Sequence, residues 1–287
     1  MRHVITLSSI PPRFDRIGPA LRSLLRQTSR PEAIELYIPR TYRRFPQWSG
    51  TLPQVPEGVR ILRVDEDLGP ATKILPAARA YRGQAIELIY VDDDNVYDRN
   101  WVQTCLDRRR SQPAAAICGF GTEIKSFGCD WVSADPLSRP VRIARSPLDP
   151  GRVLDRVVKQ AFAMFGAAAS APVLVRRFQT SGYTDIAEGF GGVMVQPDFF
   201  DDAAHAIPPV LWSVDDIWLS GHLARRAIPI WVDRDLYRRR VVPEAWLRYP
   251  LFANVIEGAD RDTANLACID HMRRTYGIWG GAAVQST

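Results

Sequence analysis

A chain of 287 residues, 46% hydrophobic and 24% charged, is long enough to bury a sizeable core in one large domain or two modest ones, which excludes a disordered or fibrous chain. The net charge of +5 has no lysine-rich tail or basic run interleaved with aromatics, so no nucleic-acid partner is expected, while phosphorylated ligands or an anionic membrane surface suit it. Cys105, Cys118, Cys129 and Cys268 are scattered without zinc-like spacing, which fits a reduced protein of the cytoplasm.

Val4, Ile5, Thr6 and Leu7 read as a first strand, ended by Pro11 and Pro12. This apolar run is too short for a signal peptide. Residues 18–27 carry a helical stripe of Ala20, Leu21, Leu24 and Leu25, and residues 33–38 and 59–64 form a second and third strand. After Gly69 and Pro70, residues 71–81 return to helical spacing. A fourth strand over 85–91 runs straight into Asp92, Asp93 and Asp94. Residues 100–110 follow as a helix and 114–118 as a fifth strand. Strand and helix alternate throughout 1–118, the mark of an α/β protein with a mostly parallel sheet flanked by helices.

Residues 119–180 show little periodicity and read as a functional loop or lid. The longest uncharged stretch, 161–175, is shorter than the roughly 20 residues a membrane helix needs. Order returns over 186–195, with helices expected at 197–204, 214–226 and 263–276 and a strand at 228–232. The chain thus divides into a ligand-binding α/β half (1–118) and a second half (119–287) with an irregular region and a C-terminal helix, within one continuous domain.

Ligands of such sheets sit at the carboxyl ends of the strands, where Ser8 to Arg13, Asp65 to Pro70 and Asp92 to Asp94 fall. Three adjacent carboxylates on a turn repel one another unless water or a cation offsets them. Mg²⁺ or Mn²⁺ is the sharper candidate, an acidic turn capping the helix near Asn100 the plainer one. A second acidic pair, Asp215 and Asp216, opens a helix. Ser213 and Asp216 have capping-box spacing, which accounts for the acids cheaply; the alternative is a general base that deprotonates a hydroxyl. The preceding Glu188-Gly189-Phe190-Gly191-Gly192 run favours the base, since its glycines admit a sugar close to the backbone and Phe190 or Trp212 offers a stacking floor. Lys73, with Arg79 nearby, lies in the first turns of a helix, where a phosphate would account for a cation as well as simple snorkelling does. His271 reads as a packed surface histidine or as an extra metal ligand. Arg40, Arg43, Arg44 and the runs 108–110 and 238–240 form a solvated face, with peripheral membrane contact as the alternative.

Together these segments resemble a GT-A fold glycosyltransferase, a Rossmann-like class that uses nucleotide-diphosphate sugars. Ser8 to Phe14, Tyr90 to Asp94 and Ser213 to Ile217 carry the likeness. The acidic segments with Cys268 and Ile269 look most like exostosin-like transferases, whereas the opening and Gly69 to Lys73 look more like bacterial family-2-type enzymes of envelope polysaccharide synthesis. The resemblance implies a UDP-sugar donor, a glycan or glycolipid acceptor and Mn²⁺ or Mg²⁺. It implies that Asp94 holds the metal with Asp92 and possible help from His271, that Asp92 and Asp93 contact ribose or donor sugar, and that the residues around Ser8 and Arg13 bracket the base. Lys73, Gly191 and Gly192 join the donor site, and Asp215 or Asp216 is the catalytic acid or base. No Gln-x-x-Arg-Trp motif is present, which removes a processive synthase. A sugar-nucleotide nucleotidyltransferase and a non-catalytic carbohydrate-binding protein are the alternatives, and the prolines after the first strand count against the former because they remove backbone donors a triphosphate needs.

Overall fold

The computed structural model describes residues 1–129, 137–142, 178–236, 239–241 and 261–280, with 154, 157 and 161. Most of the expected loop or lid lies outside them, as do the side chains of Arg238 to Arg240. The alternation read from the first 118 residues is present: β1 (His3–Ser8), α1 (Gly18–Leu25), β2 (Ala33–Pro39), β3 (Val59–Val64), α2 (Leu75–Ala80), β4 (Glu87–Val91), α3 (Trp101–Ser111) and β6 (Ala116–Cys118). β5 (Asn95–Tyr97) intervenes directly after the aspartates, so they do not cap α3. The second half adds β7 (Gly121–Thr122), β8 (Gly182–Thr184), β9 (Ile186–Ala187), β10 (Val193–Val195), α4 (Asp215–Arg225), β11 (Ile230–Val232), β12 (Arg239–Val241) and α5 (Arg261–Tyr276).

Eight strands form one central sheet in the order β3-β2-β1-β4-β10-β6-β11-β8. The β3-β2-β1-β4 run is parallel, as is β6-β11, whereas β10 is antiparallel to both β4 and β6, and β8 to β11. Side chains alternate across the sheet. Ile5, Leu7, Ile89 and Val91 pack with Leu21 and Leu24 of α1 and Trp101, Val102 and Cys105 of α3 on one face. Val4, Leu88, Tyr90, Val193 and Val195 face Leu75 and Ala78 of α2, Ile217 and Leu223 of α4, and Cys268 and Met272 of α5 on the other. Each such fully buried aliphatic side chain stabilises the fold by about 1.5–3 kcal/mol. β2 is buried along its whole length, and its single carboxylate, Glu35, is satisfied by the hydroxyls of Tyr37 and Tyr81 and by Arg60.

Several local expectations are corrected. Residues 71–81 are not one helix: Gly69–Lys73 is a 3₁₀ turn and α2 begins only at Leu75, because Pro70 and Pro76 each sit at a first turn and restart the chain. Residues 197–204 form two 3₁₀ turns, Pro197–Phe199 and Asp202–His205, separated by extended backbone. The capping box is absent, since α4 has Val214 at its N-cap and no side-chain cap bond. The arginine run 108–110 is not a uniform solvated face. Arg109 is buried on Glu87, while Arg108 pairs with Asp233 and Asp235 and Arg110 with Asp107. All four cysteines are free and buried, and among the described residues no helix is long and apolar enough to cross a membrane.

Buried histidines weaken the fold in acid, His222 more than His205, whose pKa burial pushes down to about 4. His222 on α4 is fully buried between the rings of Trp218 and Tyr276, and neither ring nitrogen has a hydrogen-bond partner among the described residues. Burial, reinforced by Arg225, pushes its pKa down to about 3. The unfolded chain therefore takes up a proton near pH 6.5 that the folded chain refuses until near pH 3, and stability is lost as pH falls through that window, by up to about 1.4 kcal/mol per pH unit. His222→Leu removes this loss. Chemical denaturation at pH 7 and pH 5 is expected to show the wild type weakening more than the variant between the two, and parallel behaviour would refute it.

Candidate functional site

β1 and β4 are parallel neighbours with Leu7 opposite Val91, so the residues just beyond each strand come out side by side at the carboxyl edge. Ser9 Oγ donates to Asp93 Oδ2 at 2.5 Å. Arg13, on the 3₁₀ turn Pro11–Arg13, donates to Asp93 Oδ1 at 2.9 Å and more weakly to Asp94 Oδ2 at 3.4 Å. The hydroxyl of Tyr42, beyond β2, donates to the carbonyl of Ser9 and fixes the loop from behind. Ser9 rather than Ser8 thus meets the acids; Ser8 is the last residue of β1, paired with Tyr37. The alternation of a strand ending at Ser8, beside a strand ending at Val91, is the signal that identifies Ser9.

Asn95, fully buried at the start of β5, donates to Asp94 Oδ1 and to the carbonyl of Phe190, both at 3.0 Å. The acidic turn is thereby tied to the glycine-rich turn before β10. That turn needs its glycines for packing. A Cβ on Gly191 would lie 2.6 Å from the Phe120 ring, and one on Gly192, at φ +76°, would lie 2.4 Å from Trp101. Phe190 is half-buried against Phe120, and Trp212 is walled in by Gly69 with its indole N–H on the Asp67 carbonyl, so Trp212 is no open stacking floor.

Gly189, named in the glycine-rich run but not assigned to the donor site with Gly191 and Gly192, stands at the centre of the second cluster. Lys73, the last residue of its 3₁₀ turn, has only 6% of its side chain exposed, and its ammonium lies 2.8 Å from Asp92 Oδ1 and 2.9 Å from Asp215 Oδ2. A Cβ on Gly189 would fall 2.6 Å from that ammonium and 3.0 Å from Asp216 Oδ1. The Gly189 N–H donates to Asp216 Oδ1 at 2.8 Å, while Arg261 of α5 stands 3.9 Å from Oδ2. Burial works against the Lys73 charge, but Asp215 and Asp92 outweigh it and hold the ammonium protonated. Burial and then the Asp215 charge push Asp216 up to about 7, with Lys73, Arg261 and the Gly189 N–H pulling the other way. Lys73 therefore needs no phosphate to account for it, and Arg79 lies elsewhere, exposed near Asp202 and His205.

The residues present fit one form of metal site and not another. Among the described residues no three His, Cys, Asp or Glu side chains cluster as a cage. Asp93 has both oxygens engaged by Ser9 and Arg13, whereas Asp92 is the most exposed of the three, at 27%. Asp94 is buried, with Asn95 on one oxygen and only the longer 3.4 Å contact of Arg13 on the other, so Asp92 and Asp94 suit Mg²⁺ or Mn²⁺ whose remaining ligands come from phosphates and water. His271 is not brought to them. It lies on α5 against the rings of Trp218 and Tyr276, and the carboxylate that acts on it is Asp270.

Fold and site define a mixed α/β protein with a large central sheet flanked by helices and two acidic segments drawn together at its carboxyl edge. No family model matches the chain, and no curated protein matches it. Among solved structures it is similar to S. aureus TarS 1-349 in complex with UDP, at 12% identity and a TM-score of 0.43 over 95% of this chain and 72% of that one. TarS 1-349 in complex with UDP-GlcNAc matches at 11% identity and a TM-score of 0.44, over 83% and 58%. TarS matches at 12% and 0.42, over 86% and 38%. Likeness this distant carries no argument, and function rests on the site.

Proposed function

We propose that this protein is a glycosyltransferase of the GT-A type that moves a sugar from a nucleotide-diphosphate donor, a UDP-sugar, to a hydroxyl of a glycan or glycolipid. The observation that carries the reading is that the acidic turn after β4 and the acidic start of α4 meet on one buried lysine, through Asp92 and Asp215. One acidic segment at a sheet's carboxyl edge suits a cation and a diphosphate; a second, with a carboxylate near neutrality, suits proton removal from an acceptor. Synthesis of a bacterial surface polysaccharide in the cytoplasm, with peripheral membrane contact, is the setting this chemistry fits.

Asp216 is the base in this reading. It keeps 21% of its side chain exposed, and its ordinary value is raised into the working range. Asp215, at 5%, is committed to Lys73. The acceptor oxygen bonds to the anomeric carbon as the bond from that carbon to the diphosphate oxygen breaks, and the acceptor proton passes to Asp216, which corresponds to inversion. Asp94 and Asp92 would hold Mn²⁺ or Mg²⁺, which would neutralise charge growing on the departing diphosphate. Arg13 and Ser9 keep Asp93 turned inward, so that this carboxylate anchors the β1 loop beside the donor site.

A sugar-nucleotide nucleotidyltransferase finds less support: the loop after β1 turns Ser9 and Arg13 onto Asp93 instead of presenting a cradle of backbone donors. The deciding experiment is a thermal-shift screen of nucleoside diphosphates with and without Mn²⁺. Stabilisation by UDP that grows with Mn²⁺ is expected, and no response to any nucleotide would refute the reading. Gly189→Ala tests the geometry. Its backbone conformation tolerates alanine, but the new methyl displaces the Lys73 ammonium, so transfer is expected to fall by about tenfold or more, with a lower melting temperature as the buried bridge loosens. Transfer at the wild-type rate would show that the cluster is not part of the site.

A further inference from the structure

We propose that Lys73 is a positioning residue that decides which of the two α4 carboxylates meets the acceptor: it holds Asp215 as its ion-pair partner and leaves Asp216 as the group open to the acceptor hydroxyl. The inference rests on the assignment of Asp216 as the base. Its first support is geometric. The ammonium bridges Asp92 and Asp215 at 2.8 and 2.9 Å in a space that exists only because residue 189 has no Cβ. A compact ammonium with three donors fits there, and a planar guanidinium does not.

The second support is that the bridge is held from outside itself. Gly69, at φ +60°, lets the start of the same 3₁₀ turn approach the Trp212 carbonyl, where a Cβ would come within 2.6 Å. The Trp212 indole donates back to the Asp67 carbonyl at 2.8 Å. The loop that carries Lys73 is thus clamped to the segment that opens α4, and Lys73 meets Asp215 by construction. Asp216 is held differently, by a backbone N–H and with an exposed edge. The groups that face it are Asp215 on its own helix, Lys73 from the 3₁₀ turn, Arg261 from α5 and the Gly189 N–H. Tyr90 of β4 and Cys118 of β6 stand behind, both held neutral by burial, and Glu188 is turned to Thr122. Removing one member of a buried ion bridge leaves its partner's charge uncompensated and weakens the fold, whereas removing both members together can be nearly neutral, so the paired substitution separates positioning from folding.

The test is Lys73→Met, alone and combined with Asp215→Asn. Without the ammonium the two α4 carboxylates compete for one proton. The single variant is therefore expected to lose about tenfold or more in kcat at pH 7, with the acid limb of kcat moved up by about one pH unit or more. The double variant, which removes both members of the lock, is expected to bring the limb back toward the wild-type position. An unmoved limb in Lys73→Met would overturn the inference, as would a limb that stays displaced in the double variant. A wild-type rate in Asp216→Asn would instead remove the base assignment on which the inference rests. The two failures are therefore read from different proteins.

Discussion

Asp216→Asn is expected to lower sugar transfer by roughly 10²–10⁴-fold while leaving UDP binding in place. The substitution is close to isosteric, and the asparagine carbonyl can still accept the Gly189 N–H, so the turn before β10 keeps its anchor. What disappears is the ability to take a proton. In the wild type that ability has a pH signature. Because burial and Asp215 raise Asp216 to about 7, the ionised base is scarce below that pH, and kcat is expected to rise as pH passes through about 7 and level off above it. A carboxylate at its ordinary value would give a flat profile from pH 5 upward. The amide that replaces it has no such titration, so the residual rate of the variant should lose the limb. Titration of UDP by calorimetry beside a transfer assay separates the two effects. Lost UDP binding in Asp216→Asn would mean that the residue ties the fold together and is not the base.

The frame of the molecule was legible in the sequence because its causes are local. β1 to β4 are apolar runs closed by prolines or acids, and α1 shows its buried stripe in Ala20, Leu21 and Leu24. The antiparallel insertion of β10 between β4 and β6 was not legible, since three residues, Val193 to Val195, carry no directional signal. Capping was misjudged at α4 because the spacing of Ser213 and Asp216 is a necessary feature of a capping box and not a sufficient one. Asp216 turns instead to the Gly189 N–H across the site. The acids stand out in the sequence, and their counter-ions do not. That Lys73 and Arg13 neutralise Asp92, Asp215 and Asp93 depends on contacts between residues 19 to 142 positions apart, which no window of sequence contains. The particular part of Gly189 within its glycine-rich run is hidden for the same reason: only the folded chain places it against an ammonium.

Asp94→Ala is the substitution expected to separate the donor side from the acceptor side. Asp94 lies at the end of the acidic turn, tied to Asn95 through one oxygen and 3.4 Å from Arg13 through the other. That longer contact is the one a divalent cation would most readily displace, whereas Asp93, at 2.9 Å from the same guanidinium and bonded to Ser9, is held twice. Removing Asp94 should therefore leave the β1 loop in place and take away a ligand for the cation. The expected result is loss of turnover with little change in the melting temperature of the ligand-free protein. The Mn²⁺-dependent part of the thermal shift by UDP should disappear, since a ligand that binds only the folded state stabilises by RT ln(1 + [L]/Kd) and a weaker Kd shrinks that term directly. Asp93→Ala is the control with the opposite pattern. Without that carboxylate, Ser9 and Arg13 lose their shared anchor, so the ligand-free protein itself should melt earlier, by a few degrees for about 1–2 kcal/mol. If Asp94→Ala keeps wild-type turnover with its fold intact, the acidic turn is not where the diphosphate is bound, and Asp215 and Asp216 must work without it.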